Sequence, residues 1–567
     1  MKWLRNLLVL LTLLLIIAIA FLWYNLPQQV DMAAYAPADS FAYLEFNSPS
    51  DIAQAIEANE TWKKLAPIIG FAPRPESRWM AKIARAGLAP AESVVFTRAQ
   101  VAIVVVGLNT TESGETLRIK PDAAIIVETH TAQWRIKSAV LKAANQLAAF
   151  AYGQSTCSER TGDAGFIDCT SSTPDRKLIV AIDGSLVVVG NSDNAVRACL
   201  EARHGSRPTL AKNSELARMR SSIGSDKALA FGFISSANSA RLFSWLTPLL
   251  LGKVPGDEQF EKLLAVSASK ILRGIAWSST ASSIGVEDRF LFSLEPEVVS
   301  RLEPAFDVTQ NQHDFWKFVP QDLRSLTIYR TQNPASGWTA LDEAMSFKLD
   351  ALSAVVFSSL LKTGLSVYGV ENPKELLARL VPPVVTFRTN SSSSGGSVLV
   401  GRVANEKELR DDLARSIFPS DRGQTVDGTG SDIQLGKEFT ALLVSGFVLV
   451  GKTEDVRACA LAIRNQHVTN ATDRIIRYSN DNSAAITTFA DDESRIISFA
   501  NVIASLRHGP MSVEKQDGVR SVASAAGFSV SDTTLTSTGI QRTTRSTFGQ
   551  FSTLVSLLEA DRPHNSR

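Results

Sequence analysis

The sequence has little of what metalloenzymes and nucleic-acid-binding proteins usually carry. Its 567 residues include 6 histidines and 4 cysteines. No histidine has a second one three or four residues later, and none lies near a cysteine pair at zinc-ligand spacing. Lys and Arg total 58 and Asp and Glu total 57, so the chain lacks the basic excess of a dedicated nucleic-acid surface. We therefore predict no metal site, no cofactor and no nucleic-acid partner.

What the chain does contain is typical of a folded protein. Hydrophobic residues make up 45% of it and charged residues 20%, a composition that globular proteins have and disordered segments lack. The length exceeds what one ordinary hydrophobic core supports, so two or more domains are expected.

The N-terminus carries a long apolar run. Residues 7–22 are apolar except for Thr12, aromatic Trp23 and Tyr24 follow, and Lys2 and Arg5 precede the run. This pattern predicts an uncleaved transmembrane anchor over residues 7–24, with residues 1–6 in the cytoplasm and the main body outside it. The alternative is a cleaved signal peptide, because Ala18-Ile19-Ala20 offers a cleavage site.

Disulfides persist outside the cytoplasm, so the predicted location permits bonds between the cysteines. Cys157 and Cys169 flank a turn-rich segment, and we predict a bridged hairpin, which stabilises by about 3 kcal/mol in the chain-entropy model. Cys199 and Cys459 lie on apolar helix faces. A bond between these two stays open, because it requires the two helices to be in contact.

An internal sequence repeat predicts a tandem duplication. Residues 447–463 and 186–202 both read as a strand, a Gly turn, a capped helix and the core Val-Arg-Ala-Cys. The predicted organisation is a linker over residues 25–35, a first unit over 36–305, a linker over 306–315, a second unit over 316–560 and a polar tail over 561–567.

The predicted fold class is α+β. Each unit is expected to form its own antiparallel sheet, with helices packed on one face, because its strands alternate apolar and polar residues. Two long strands are predicted to close each unit, at Ile271–Ser279 with Ser283–Phe292 and at Ser521–Ser529 with Thr533–Thr543.

Three features together suggest a family. They are the apolar N-terminus, the segment Ala36-Pro-Ala-Asp-Ser-Phe-Ala-Tyr-Leu-Glu-Phe46, and the hairpin Asp183-Gly-Ser-Leu-Val-Val-Val-Gly190 before a helix. The chain resembles, over essentially its whole length, a family of bacterial membrane-anchored proteins known only as a domain of unknown function. The resemblance implies one transmembrane helix and a long extracytoplasmic region, and it brings no site residues.

One motif matches a phosphate-binding loop. Gly446-Phe-Val-Leu-Val-Gly451-Lys452-Thr453 fits the pattern G-x-x-x-x-G-K-[ST]. Its four central residues are strand formers, whereas a phosphate loop must curl there so that backbone N–H groups surround the anion. We therefore predict a strand, a turn at Gly451 with positive φ, and a helix capped by Thr453, and we predict no nucleotide site.

Two further patterns are also interpreted as structural. The pieces of a penicillin-recognising serine enzyme occur as Ser267–Lys270, Ser192-Asp193-Asn194 and Lys362-Thr363-Gly364, but in the wrong order. Asp427-Gly-Thr-Gly-Ser-Asp432 has the oxygen density of a calcium turn without its closing Glu, so a plain turn is predicted.

No catalytic residue is therefore predicted, and the first functional hypothesis is a non-catalytic protein. It would be anchored in the membrane and would bind a cell-envelope protein or lipid, or support an assembly. The alternative is an extracytoplasmic hydrolase with its site in the cleft between the two units, for which convergent His, Asp or Ser side chains would be evidence. A third hypothesis is carriage of an apolar ligand under the helix predicted at Ala132–Tyr152.

Overall fold

The computed structural model describes most of the chain beyond the apolar N-terminal run. The described residues are 28–71, 90–113, 116–152, 155–161, 165–171, 177–250, 265–283, 285–309, 315–319, 323–349, 354, 358, 361–362, 364–389, 397–413, 424–425, 432–435, 438–465, 478, 484–508 and 511–560.

Twenty strands in these residues form one antiparallel sheet. They are β1 (Ala42–Phe46), β2 (Gln100–Ser113), β3 (Thr116–Glu128), β4 (Ser155–Glu159), β5 (Phe166–Ser171), β6 (Lys177–Asp183), β7 (Leu186–Gly190), β8 (Ala230–Ser235), β9 (Leu272–Ser282), β10 (Gly285–Leu294), β11 (Leu323–Tyr329), β12 (Leu380–Thr389), β13 (Ser397–Val403), β14 (Gln424–Thr425), β15 (Asp432–Leu435), β16 (Phe439–Val444), β17 (Phe447–Lys452), β18 (Ile486–Asp491), β19 (Phe528–Thr536) and β20 (Gly539–Ser546).

The helices accompany both halves of the sheet. Those in the described residues are α1 (Pro49–Ala58), α2 (Glu60–Ile68), α3 (Ala91–Arg98), α4 (Gln133–Tyr152), α5 (Asp193–Arg203), α6 (Ser214–Ile223), α7 (Ser236–Leu250), α8 (Pro296–Phe306), α9 (Pro334–Ser346), α10 (Pro373–Ala378), α11 (Glu406–Asp412), α12 (Thr453–Asn465), α13 (Glu493–His508), α14 (Val513–Ala526) and α15 (Gln550–Ala560).

Side-chain caps decide where several helices begin. The Ser192 side chain accepts a hydrogen bond from the Ala195 N–H and starts α5. Asn59 accepts from the N–H groups of Thr61 and Trp62, which starts α2 directly after α1. The Asn59 side chain also donates to the Thr547 carbonyl at 2.9 Å. This one residue therefore joins the N-terminal helices to the C-terminal end of the chain.

The strand order follows from the backbone pairing. From one edge to the other the sheet runs β4-β5-β6-β7-β3-β2-β1-β8-β9-β10, then β20-β19-β18-β11-β12-β13-β17-β16-β15-β14. The same pairing order therefore occurs on both sides of the β10–β20 contact when each half is followed from its outer edge.

The prediction of two units with separate sheets is wrong. β10 pairs with β20 from Val286 opposite Ser546 to Ser293 opposite Gly539, and this pairing merges all the strands into a single sheet. Two strand edges that would otherwise stay unpaired satisfy each other's N–H and C=O groups.

The prediction of helices on one face is also wrong, because the sheet is buried on both faces. On the front face, α5 and α6 pack on β1, β2 and β8 in a core that includes Tyr43, Val104 and Phe231. On the back face, α4 packs on β5 to β7 against Val180 and Val187. Strands β6 and β7 are therefore apolar along both sides instead of alternating.

The strand predicted at Ser521–Ser529 is corrected to a helix followed by a strand. Residues up to Ala526 belong to α14, and β19 begins only at Phe528. Val519 and Ala523 lie four residues apart and are buried in a helical cluster with Leu65 and Ile69 of the first seventy residues. Tertiary packing of this helical stripe overrides the strand-like local composition.

The membrane prediction is corrected as well. Within the described ranges no helix combines the length and the apolar content that crossing a bilayer requires. The anchor predicted at residues 7–24 lies outside those ranges. The structure thus gives no support to a single-pass membrane protein, and neither the anchor nor the predicted localisation enters the proposals below.

The cysteines fall into one pair and two single thiols. Cys157 on β4 and Cys169 on β5 stand opposite each other and form a disulfide, with Cα atoms 4.0 Å apart. Cys199 and Cys459 are buried in two different core clusters and are not disulfide-bonded to each other. Burial raises the pKa of the Cys199 thiol to about 12, which keeps it protonated and unreactive.

We predict that the β10–β20 contact is sensitive to a single methyl group. Gly539 has φ +142°, and a Cβ there would lie 2.1 Å from the Phe292 carbonyl oxygen. Gly205 also has positive φ, at +76°, but its Cβ would meet nothing within 4 Å. Gly539→Ala should cost about 3 kcal/mol or more in urea unfolding, against about 1 kcal/mol for Gly205→Ala. Equal losses in the two variants would contradict the tight contact.

Candidate functional site

The back face of the sheet stays partly open in its second half. Ten residues there share one face of five neighbouring strands and are half-buried or exposed, while the residues alternating with them are mostly buried. We call this surface the open back face. Its residues are Ser325, Thr327 and Tyr329 on β11, Thr386 and Arg388 on β12, Ile486, Thr488 and Ala490 on β18, Thr533 on β19 and Arg542 on β20.

Hydroxyl side chains form a row across this surface. Directly opposed positions on five adjacent strands are Thr544, Ser531, Thr488, Thr327 and Thr386. The Ser531 and Thr544 hydroxyls lie 2.8 Å apart and those of Thr327 and Thr488 lie 3.1 Å apart. The first two residues are buried and the last three are half-buried. The row therefore emerges from the protein interior onto the surface.

The same place in the first half is apolar and covered. There β1 presents Leu44 and Phe46 on the back face, and the apolar cluster continues through Ala230 and Trp277. Side chains of α1 and α15, including Phe551, pack on this cluster. The polarity of the open back face is thus a property of the second half alone and not of the strand arrangement.

Tyr329 lies in the middle of the open back face. It keeps 37% of its surface exposed, and its hydroxyl hydrogen-bonds with the Thr386 side chain. Burial of its hydroxyl end raises the pKa of Tyr329, while Thr386, Arg388 and Arg542 act in the opposite direction. Tyr368 is buried beside it, and burial raises the pKa of Tyr368 to about 12. Both tyrosines are therefore neutral donors and acceptors at physiological pH.

A cavity of about 680 Å³ lies at the C-terminal end of α8. Two of its lining residues, Ala485 and Thr534, are sequence neighbours of Ile486 and Thr533 on the open back face. Its lining residues are Glu303, Pro304, Phe306, Asp307, Val308, Ala485, Thr534 and Leu535. The lining contains two carboxylates and no histidine. Among the described residues it therefore offers Glu303 and Asp307 as ionisable groups, without a histidine beside them.

The centre of the front face holds an ion network that is fully committed to structure. Arg545 on β20 donates to Glu287 on β10 at 2.8 Å and to the Tyr478 hydroxyl at 2.6 Å. The Tyr478 hydroxyl donates to Asp532 on β19 at 2.5 Å. Arg289 donates to the same Glu287 at 2.8 Å. These contacts pin the strands at the β10–β20 contact and leave the carboxylates occupied.

Asp288 on the back face is a buried carboxyl that holds α15 in place. It is 0% exposed, and it accepts from the Trp277 Nε1–H at 3.0 Å and from the Gln550 N–H at 2.9 Å. Gln550 is the first residue of α15, so Asp288 caps that helix across the sheet. Burial raises the pKa of Asp288 to about 6.

The phosphate-loop motif is a strand. Phe447–Lys452 form β17, which pairs with both β16 and β13. The tight turn lies before it, at Ser445 and Gly446, both with positive φ. The expected positive φ at Gly451 is wrong. Gly451 is required instead because a Cβ there would lie 2.5 Å from the Ser397 carbonyl oxygen of β13. Thr453 begins α12 directly.

The pieces of the serine-enzyme pattern also have local roles. Ser192 and Asp193 begin α5, and Asp193 binds Arg160 at 2.7 Å. Lys270 donates to the Lys348 carbonyl at 3.2 Å. Thr363 of the third piece lies outside the described residues, as does most of the predicted turn at 427–432.

The histidines with described side chains each have a single local partner. His130 lies 3.0 Å from the Gln100 side chain, and His204 lies 2.9 Å from Asp183. Burial lowers the pKa of His130. Within the part of the chain that the structure covers, no three His, Cys, Asp or Glu residues come close enough to hold a metal ion.

The sequence feature that indicates the open back face is an alternation of polar and apolar residues, and none of the motifs above indicates it. The segment Ser325-Leu-Thr-Ile-Tyr329 alternates polar and apolar residues, as does Ile486-Thr-Thr-Phe-Ala490 in part. Alternation marks a strand with one polar side, but it does not say which strands lie together.

The chain matches no protein-family model, no curated protein and no solved structure. The family resemblance described above therefore stays a prediction, and function has to be argued from the residues themselves.

We predict that the phosphate-loop motif contributes to stability through the close backbone packing at Gly451 and not through the charge of Lys452. Gly451→Ala should lower the free energy of unfolding by about 2 kcal/mol or more, because the new methyl group meets the β13 backbone. Lys452→Ala should cost less than about 1 kcal/mol at its half-buried strand end. Urea unfolding measures both. A larger loss in Lys452→Ala, together with saturable ATP binding by the unmodified chain, would contradict the structural role.

We predict a pH-dependent stability term from Asp288. Its pKa in the folded protein is raised above the ordinary value of 3.8. Its contribution is therefore fully present below that value and is lost as the pH rises through about 6. Between pH 4 and pH 7 the loss is about 2 kcal/mol, since each pKa unit corresponds to about 1.4 kcal/mol and part of the contribution is already lost at pH 4.

Asp288→Asn removes the titration. The unfolding free energy of the wild-type chain minus that of the variant should fall by about this amount from pH 4 to pH 7. The exposed Asp517→Asn is the matched control. A wild-type minus Asp288→Asn difference that stays constant with pH would contradict the assignment.

Proposed function

We propose that the protein is a non-catalytic binding protein whose ligand is a hydroxyl-rich chain, a glycan, that lies along the open back face. The observation that carries the proposal is the row of Ser and Thr hydroxyls that reaches the surface through Thr488, Thr327 and Thr386. Each such hydroxyl both donates and accepts, as sugar hydroxyls do.

The two halves differ in polarity and burial at equivalent positions of the back face, and this difference supports the proposal. Leu44 and Phe46 are packed under helices in the first half, whereas Thr327 and Tyr329 remain accessible in the second. A half-exposed tyrosine adds a flat apolar ring, which suits the apolar face of a sugar ring.

The described residues favour binding over catalysis. On the front face of the β10–β20 contact, Glu287 pairs with Arg289 and Arg545. Arg545 also pairs with Asp532. Asp288, whose pKa is shifted towards neutrality, is 0% exposed and caps α15. A carboxyl without access to a substrate cannot exchange a proton with it.

The test is retardation of the purified full chain in native gels that contain dissolved polysaccharides. The double variant Thr327→Val and Thr488→Val removes two hydroxyls that bond to each other, so it should leave the fold almost unchanged. It should weaken binding about thirtyfold, because two hydrogen bonds to the ligand are lost and each is worth about 1 kcal/mol.

Thr280→Val is the matched control, since Thr280 lies on the opposite face of the sheet beside Glu287. It should bind as the unmodified chain does. Absence of retardation by every polysaccharide, or release of reducing ends during incubation, would overturn the proposal of a non-catalytic glycan-binding protein.

A further inference from the structure

Two arginines stand at opposite sides of the open back face. Arg542 lies on β20 and Arg388 on β12, four strand spacings apart, which is about 19 Å at the usual distance between strands. Tyr329 stands between them, and both cations act on its hydroxyl. Tyr329 and Arg542 share one cross-strand row, and Arg388 lies four residues further along the strands, opposite Ser325. The three side chains thus mark out an area of the hydroxyl surface.

These arginines differ from those at the centre of the front face. Arg289 and Arg545 share the carboxylate of Glu287. In the part of the chain that the structure covers, neither Arg388 nor Arg542 makes an ion pair, and the open back face contains no carboxylate.

Arg542 is also held close to another cation. Its pKa is lowered, first by burial and then by the charge of Arg495. Arg495 itself forms an ion pair with the buried Asp492 at 3.9 Å. Among the described residues, Arg388 and Arg542 therefore remain the two cations of the open back face without an ion-pair partner.

We infer that the ligand of the open back face is an acidic polysaccharide, whose anionic groups pair with Arg388 and Arg542 while its hydroxyls meet the Ser and Thr row. This inference rests on the proposed function. The planar guanidinium of arginine forms two parallel hydrogen bonds with a carboxylate or a sulfate, which gives orientation as well as attraction.

The observations favour a glycan over a single-stranded nucleic acid. A nucleic-acid platform stacks successive bases on several exposed aromatic rings. The open back face offers one exposed ring, Tyr329, because Tyr368 is buried at 8% exposure. Most of its remaining residues carry hydroxyl groups, which hydrogen-bond but do not stack.

The experiment compares dextran with dextran sulfate, which share one backbone and differ in charge, and adds polygalacturonate as a carboxylate source and poly(uridylate) as a nucleic acid. The purified full chain should bind dextran sulfate, polygalacturonate or both at least about tenfold more tightly than dextran. The preference should shrink as salt is raised.

The double variant Arg388→Gln and Arg542→Gln should lose this preference, so that it binds dextran sulfate and dextran about equally tightly, and should keep its melting temperature. Arg388→Lys and Arg542→Lys should recover part of it. Arg218→Gln, an exposed arginine on α6 over the front face, is the matched control and should behave as the unmodified chain does.

The outcomes separate the two proposals. Equal binding of neutral and acidic chains, unaffected by the arginine variants but weakened by Thr327→Val with Thr488→Val, would overturn the acidic ligand and leave glycan binding standing. Tighter binding of poly(uridylate) than of any polysaccharide would overturn both. Acidic binding that survives in the glutamine variant would place the charged contact elsewhere and overturn this inference.

Discussion

The pairing of β10 with β20 is the constraint on which the rest of the molecule depends. It joins residues as far apart in sequence as Glu287 and Arg545, which are 258 positions apart, and it turns two strand edges into the middle of one sheet. Ionic contacts reinforce it on the front face, and Asp288 reinforces it on the back face by holding α15 across the sheet. The terminal helices then pack across the same contact, so neither half has a complete core without the other.

This closure also explains why the two halves are not equivalent on their back faces. α15 and α1 cover the strands of the first half through Phe551 and Ile52. α8 covers a different part of the second half, where it meets Leu535 and Ile540. The part of the sheet that includes Tyr329 and Ile486 is left partly open as a result. The proposed binding surface thus lies where the helices leave the sheet uncovered. Its specificity comes from the residues at that position.

Local structure was largely predictable from the sequence, and its assembly was not. β9, β10 and α4 lie within three residues of where the sequence pattern predicts them, because this signal acts within about fifteen residues. The helix α14 was missed because its stripe of Val519 and Ala523 packs on residues far away in sequence. The open back face was missed for the same reason, since Thr327 and Thr488 are 161 positions apart and only the strand register brings them together. The pattern at residues 446–453 matches a phosphate-binding loop. The pairing of β17 with β13 and β16 instead holds its central residues in a strand.

A sheet face of hydroxyls is not what this fold needs for stability. The first half builds the same place from Leu44, Phe46 and Trp277 and buries it under helices, which contributes roughly 25 cal/mol for each Å² of apolar surface removed from water. Hydroxyl pairs such as Thr327 with Thr488 contribute only about 1 kcal/mol each, and apolar residues of the same shape would serve the fold equally well. The proposed function gives the residues that distinguish the second half a role that stability does not require. Their combination of hydroxyls, one exposed ring and two unneutralised arginines describes the chemistry of the proposed contact.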